Sequence, residues 1–133
     1  MKKNILITGA SSGIGKSIAY LFAAQGWNLI LTGRREDRLE EIRTDLSNRF
    51  NTIIQCLTFD VRDLAQTQQA LSSIDQTLFP QIDVLVNNAG LAAGFGSIDQ
   101  GQYDDWNRMI DTNVKGLLHV SREMIPQFKT QGF

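Results

Sequence analysis

The chain has 133 residues, a formal net charge of −1 and 42% hydrophobic residues, the make-up of one globular domain. Near-balanced charge gives no electrostatic case for nucleic acid or an anionic membrane surface, and no apolar stretch approaches the roughly 20 residues that span a bilayer. Met1-Lys2-Lys3 starts like a signal peptide but Thr8-Gly9 cuts the apolar run short, and one cysteine with no His/Cys cluster fits a reducing cytoplasm and no metal site.

The first apolar run, Asn4–Thr8, reads as a strand. Thr8-Gly9-Ala10-Ser11-Ser12-Gly13-Ile14-Gly15 then carries it through three glycines into a helix. Gly9 permits a tight turn, Gly13 lets the backbone approach an anion, and Gly15 lets the helix pack closely on its strand. Free N–H groups and the positive end of the helix dipole then face a pyrophosphate. The spacing is G-x-x-x-G-x-G, not the usual G-x-G-x-x-G. Ile14, Ile18, Leu21 and Phe22 share one helical stripe, and Gly26 marks its end.

A second strand, Asn28–Thr32, leads to Arg34 and Arg35, and the next helix carries Leu39, Ile42, Leu46 and Phe50 on its inner face. The third strand, Thr52–Phe59, holds Cys56 as a small core residue and ends at Asp60-Val61. Leu64, Leu71, Ile74 and Leu78 predict a helix that ends before Pro80. The fourth strand, Asp83–Val86, runs into Asn87-Asn88-Ala89-Gly90 and a small-residue loop that reaches Gly101. One long helix, about Tyr103 to Lys129, is predicted beyond it; Pro126 should bend or terminate that helix. Trp106 and His119 read as packing residues, and Asp104-Asp105 as acids suited to a helix start. Strand and helix alternate throughout. This predicts a single α/β domain, a doubly wound parallel sheet of order 3-2-1-4 with right-handed crossovers.

Taken together, the glycine turn, Asp60-Val61, Asn87-Asn88-Ala89-Gly90 and Asn113 within Asp111-Thr112-Asn113-Val114 resemble the short-chain dehydrogenase/reductase family along the whole chain. Thr32-Gly33-Arg34-Arg35, Asn88–Ala92 and Trp106–Leu117 resemble its branch that oxidises serine and other 3-hydroxy acids. The resemblance implies a Rossmann-like fold and hydride transfer between a nicotinamide cofactor and a hydroxyl/carbonyl substrate. It implies that Gly9, Ala10, Ser11, Ser12, Gly13, Ile14 and Gly15 cradle the pyrophosphate. Asp60 would accept a hydrogen bond from the adenine amino group, with the Val61 backbone beside it; a helix cap is the other reading of Asp60. Asn87 would belong to the same cofactor-binding segment, in which Asn88 would tie neighbouring strands together behind the cofactor and Ala89 and Gly90 would let the backbone approach the ribose; a turn is the other reading of Asn87-Asn88. Arg34 and Arg35 stand where an NAD-binding chain places a carboxylate on the ribose 2′-hydroxyl, which implies NADP(H); a solvated face is the alternative. In related enzymes the helix over residues 103–129 pairs with its copy, so a homo-oligomer is expected.

The family's Ser and Tyr-x-x-x-Lys do not occur within these 133 residues. The tyrosines are Tyr20 and Tyr103, and positions 24 and 107 hold Ala and Asn. Of the catalytic residues only Asn113 is matched, which in the family holds a water that relays protons to the lysine. The expectation is an N-terminal, cofactor-binding part of a longer oxidoreductase, inactive alone, with a sheet edge at the fourth strand. An inert NADP(H)-binding or redox-sensing module and a structural subunit are the competing readings.

Overall fold

The computed structural model describes residues 1–132. Four strands, β1 (Asn4–Ile7), β2 (Asn28–Gly33), β3 (Ile54–Thr58) and β4 (Val84–Val86), form one parallel sheet of order β3-β2-β1-β4. Five helices follow the chain: α1 (Gly13–Ala24), α2 (Glu36–Arg49), α3 (Leu64–Ser72), α4 (Tyr103–Ile110) and α5 (Leu117–Gln131). The strand order matches the sequence expectation.

Alternation along each strand divides the core into two layers. Ile5 and Ile7 of β1 with Leu29 and Leu31 of β2 point to one face, where Ala19 and Ala23 of α1 and Leu39, Ile42 and Leu46 of α2 cover them. Leu6 and Ile30 point to the other, and pack with Leu57, Phe79, Ile82, and Val120 and Met124 of α5. Because both faces are covered, β1 and β2 are buried at nearly every position, with continuous apolar runs at Ile5–Ile7 and Leu29–Leu31. Polar groups fix the register at the N-terminal end of the strands. Asn4 donates its N–H to Asp83 Oδ2 at 2.8 Å, and Asn28 Nδ2 donates to Asn4 Oδ1 at 3.1 Å.

Several elements depart from the sequence expectation. The buried face of α1 is Gly15, Ala19 and Ala23, while Ile14 and Leu21 are exposed. A helix pressed against a strand places its smallest residues at the contact, so of the large apolar stripe only Ile18 and Phe22 pack against the core, partly buried at its margin. The helix expected to run to Pro80 ends at Ser72, with Ile74 and Phe79 buried in the following turns and Leu64 and Leu78 exposed. Asp63, not Asp60, caps α3: its carboxylate accepts from the Gln66 N–H at 3.0 Å. The last helix is divided, for residues Asp111–Gly116 adopt a π-helical turn between α4 and α5. Pro126 neither breaks nor ends α5, which continues to Gln131 and closes on Gly132 in the left-handed region.

Candidate functional site

A cleft of about 340 Å³ opens at the C-terminal ends of the strands, within the size range of ligand pockets. Its floor is the turn after β1. Gly9 has φ +62°, and a Cβ there would lie 2.9 Å from Ala89 Cα. A Cβ on Gly15 would run into the Gly9 carbonyl oxygen and come within 2.5 Å of Asn88 Nδ2. Glycine at both positions therefore lets α1 and the segment after β4 close on the same turn. The Thr8 hydroxyl ties the two together, accepting the Asn88 and Ala89 N–H groups, each at 3.0 Å. Asn88 Nδ2 donates to the Gly9 carbonyl, also at 3.0 Å. The start of α1 is left open to a ligand: Ser12 at its N-cap makes no side-chain cap bond, and the first turn carries no acid. A negatively charged group therefore fits this end of the cleft.

The residues named from sequence fall into two groups. Gly9, Ser11, Ser12, Ile14, Arg34, Arg35, Asp60, Val61, Asn88, Ala89 and Gly90 line the cleft. Ala10, Gly13, Gly15, Asn87 and Asn113 do not. Ala10 is fully buried, Gly15 packs behind the turn, and Asn87 Nδ2 donates to Ser121 Oγ of α5 at 3.0 Å. Gly13, at φ +57°, faces a separate polar groove between α1 and α2. The lining also includes Thr32, Gly33, Phe59, Arg38, Leu91 and Thr112, to which sequence reading gave no site role. Arg38 had a signal, since it follows Arg34 and Arg35 in the first turn of α2 beside the same rim. Thr112 lies within the Asp111–Val114 segment that carries the family resemblance; its buried hydroxyl makes no hydrogen bond among the described residues.

Electrostatics divide the cleft along its length. Arg34, Arg35 and Arg38 are exposed at the β2 end, and the side chains of Arg35 and Arg38 make no ion pair among the described residues. Beside them, the Asp60 carboxylate is gripped by Arg62, with Nη2 to Oδ2 at 2.7 Å and the Arg62 backbone N–H to Oδ1 at 3.0 Å. Burial works to raise the Asp60 pKa, but the side-chain and backbone bonds from Arg62 outweigh it and hold the carboxyl below the usual carboxylate range. At the far end, Asn113 in the π-helical turn clamps Leu91: its Oδ1 accepts the Leu91 N–H and its Nδ2 donates to the Leu91 carbonyl, both at 2.8 Å. Both ends of this side-chain amide are therefore spent on holding the loop after β4. Gly90 is fitted to the same clamp, because a Cβ there would stand 3.1 Å from Asn113 Oδ1. His119 Nδ1 bonds the Val61 carbonyl at 2.8 Å, so this packing residue anchors the wall next to Asp60.

Known proteins resemble this chain along nearly its whole length. The family model described as short chain dehydrogenase matches residues 3–133. The chain belongs to the short-chain dehydrogenase family. A serine 3-dehydrogenase of Rhizobium radiobacter is 43% identical to this short-chain dehydrogenase over 126 residues, 95% of this chain and 49% of that protein. An NADP-dependent 3-hydroxy acid dehydrogenase of Escherichia coli (strain K12) is 39% identical over 122 residues, 92% of this chain and 47% of that protein. The solved closed form of serine dehydrogenase complexed with NADP+ superimposes with a TM-score of 0.86 at 40% identity, covering 96% of this chain and 50% of that one. The chain thus spans about half the length of the curated relatives it matches.

Proposed function

We propose that this short-chain dehydrogenase chain is the NADP(H)-binding part of an oxidoreductase acting on a hydroxyl/carbonyl pair, with serine or another 3-hydroxy acid as the substrate class. The observation that carries the reading is the placement of Arg34 and Arg35 at the rim of a cleft whose floor is an uncapped helix start. The open amides of α1 suit the pyrophosphate, and the guanidinium groups suit a 2′-phosphate, which they bind as charge-assisted forks. The serine dehydrogenase named as complexed with NADP+ supports the cofactor, and the serine and 3-hydroxy acid dehydrogenases support the substrate class. When bound, the nicotinamide supplies the hydride chemistry; the residues of this chain bind and orient it. Asn113 contributes by fixing the Leu91 loop across the cleft from the glycine turn.

These 133 residues contain no Tyr with a Lys four positions on, so we expect them to bind cofactor without oxidising alcohols by themselves. The exposed apolar residues Ile110, Val114, Leu118 and Ile125 recur along one side of α4, the π turn and α5, and we propose that this stripe meets a second copy. Fluorescence titration tests the cofactor reading. NADPH should bind more tightly than NADH, and Arg34→Ala with Arg35→Ala should cost NADPH about tenfold or more while sparing NADH, since each charge-assisted bond contributes about 1.5–3 kcal/mol. Equal affinity for the two dinucleotides in the parent chain would refute it.

A further inference from the structure

Two consecutive residues of the cleft, Asp60 and Val61, offer a hydrogen-bond acceptor beside a donor. The Val61 N–H has no partner among the described residues. Arg62 brings three N–H groups to the Asp60 carboxylate, from its backbone, Nε and Nη2, so one of about four lone-pair sites stays open. Such a pair matches a purine edge that sets an amino group beside a bare ring nitrogen, as adenine does. It opposes, at both positions, an edge with a carbonyl oxygen beside a ring N–H. What aims the pair is the next peptide unit, which is held at both ends. Its N–H, from Arg62, donates to Asp60 Oδ1 at 3.0 Å, and its carbonyl, from Val61, accepts from His119 Nδ1 of α5 at 2.8 Å. A carbonyl only accepts, so Nδ1 carries the hydrogen. Gly116, three residues earlier, allows the approach, since a Cβ there would stand 2.5 Å from Val61 Cγ2.

We infer that His119 is a positioning residue for base recognition: from outside the cleft lining, its bond to the Val61 carbonyl fixes the peptide that aims the Asp60 carboxylate and the Val61 N–H at a purine edge. The inference rests on the nucleotide reading proposed above and deepens it. Without that bond the carbonyl of a buried residue has lost its donor, and the peptide turns to find another. Asp60 Oδ1 follows the peptide through the Arg62 N–H, so acceptor and donor lose their alignment together.

The probe is the reduced form of nicotinamide hypoxanthine dinucleotide phosphate, which carries a carbonyl oxygen and a ring N–H where adenine carries its amino group and bare nitrogen. Its affinity for the full chain is compared with that of NADPH by fluorescence titration. The parent should prefer NADPH by about tenfold, the worth of one hydrogen bond to a charged acceptor. His119→Phe keeps a ring without a donor and should cut that preference to about threefold or less. His119→Asn, whose Nδ2 branches from the same side-chain position as Nδ1, should keep it. His119→Gln, with its amide one bond further out, should lose it as the Phe variant does, and the contrast of Asn with Gln decides if the Phe variant does not fold. A fall in both affinities at an unchanged ratio marks a merely structural role and overturns the inference. So does an Asn variant that loses the preference, or a parent that binds both dinucleotides equally. A parent that binds neither dinucleotide overturns the nucleotide reading and this inference with it.

Discussion

Cys56 shows how one side chain's surroundings decide its chemistry. It lies half-buried on β3 against the buried core of that face, with its Sγ 3.6 Å from the Leu39 carbonyl. Burial first, and then the nearby Glu40 carboxylate, push the thiol up to about 11, against a smaller opposing pull from Arg43. The folded chain thus favours the neutral thiol. The stability this contributes is complete below the unfolded thiol's value, about 8.5, and is lost as pH climbs from there toward about 11. At pH 8 iodoacetamide should therefore alkylate the native chain much more slowly than the same chain in denaturant. Equal rates would contradict this account, because thiolate is the reactive species.

At the scale of elements, the contact of α1 with the turn after β1 is the tightest in the site. Gly15→Ala would drive a methyl group into the Gly9 carbonyl and toward Asn88 Nδ2, neither of which can yield without opening the cleft. The expected cost is about 3 kcal/mol, the upper end for overpacking, and a urea titration measures it; a loss under about 1 kcal/mol would mean that helix and strand sit further apart. This contact was legible in the sequence because glycine spacing encodes close approach directly. So were the sheet order and the two-faced apolar strands, which follow from strand-length runs alternating with helical periodicities. The extent of α3 was not. Ile74 and Leu78 keep a helical spacing although Ile74 alone is buried, and the chain turns before Asp75, whose carboxylate accepts the Thr77 N–H at 2.8 Å. Nor could spacing reveal that Arg62 would turn back on Asp60, or that Asn113 would spend both amide ends on Leu91. The first depends on a local turn and the second on where separate segments meet in space, and periodicity records neither.

For the whole molecule, the central position of β1 governs the order in which the parts can come together. Ile5 is paired with Leu29 on one side and Val84 on the other, and the bonds from Asn4 to its two neighbours span 24 and 79 residues of chain. Closing the longer loop is the slower event. Two amides of the glycine turn report on each side separately: Ala10 donates to the Thr32 carbonyl at 2.9 Å and Thr8 to the Val86 carbonyl at 3.0 Å. In pulsed hydrogen-exchange labelling during refolding, Ala10 should gain protection before Thr8. Simultaneous protection would show that the sheet forms in a single step.

The two walls of the cleft thus come from stretches of chain made far apart in time. One wall is complete once the glycine turn has left the ribosome, but the Asn88 and Ala89 amides that the Thr8 hydroxyl holds emerge some eighty residues later. Until they arrive, a nascent chain has half a crevice and a bare flank on its first strand, and no dinucleotide can assist its folding. Binding energy becomes available to this molecule only after its most distant pairing is already in place.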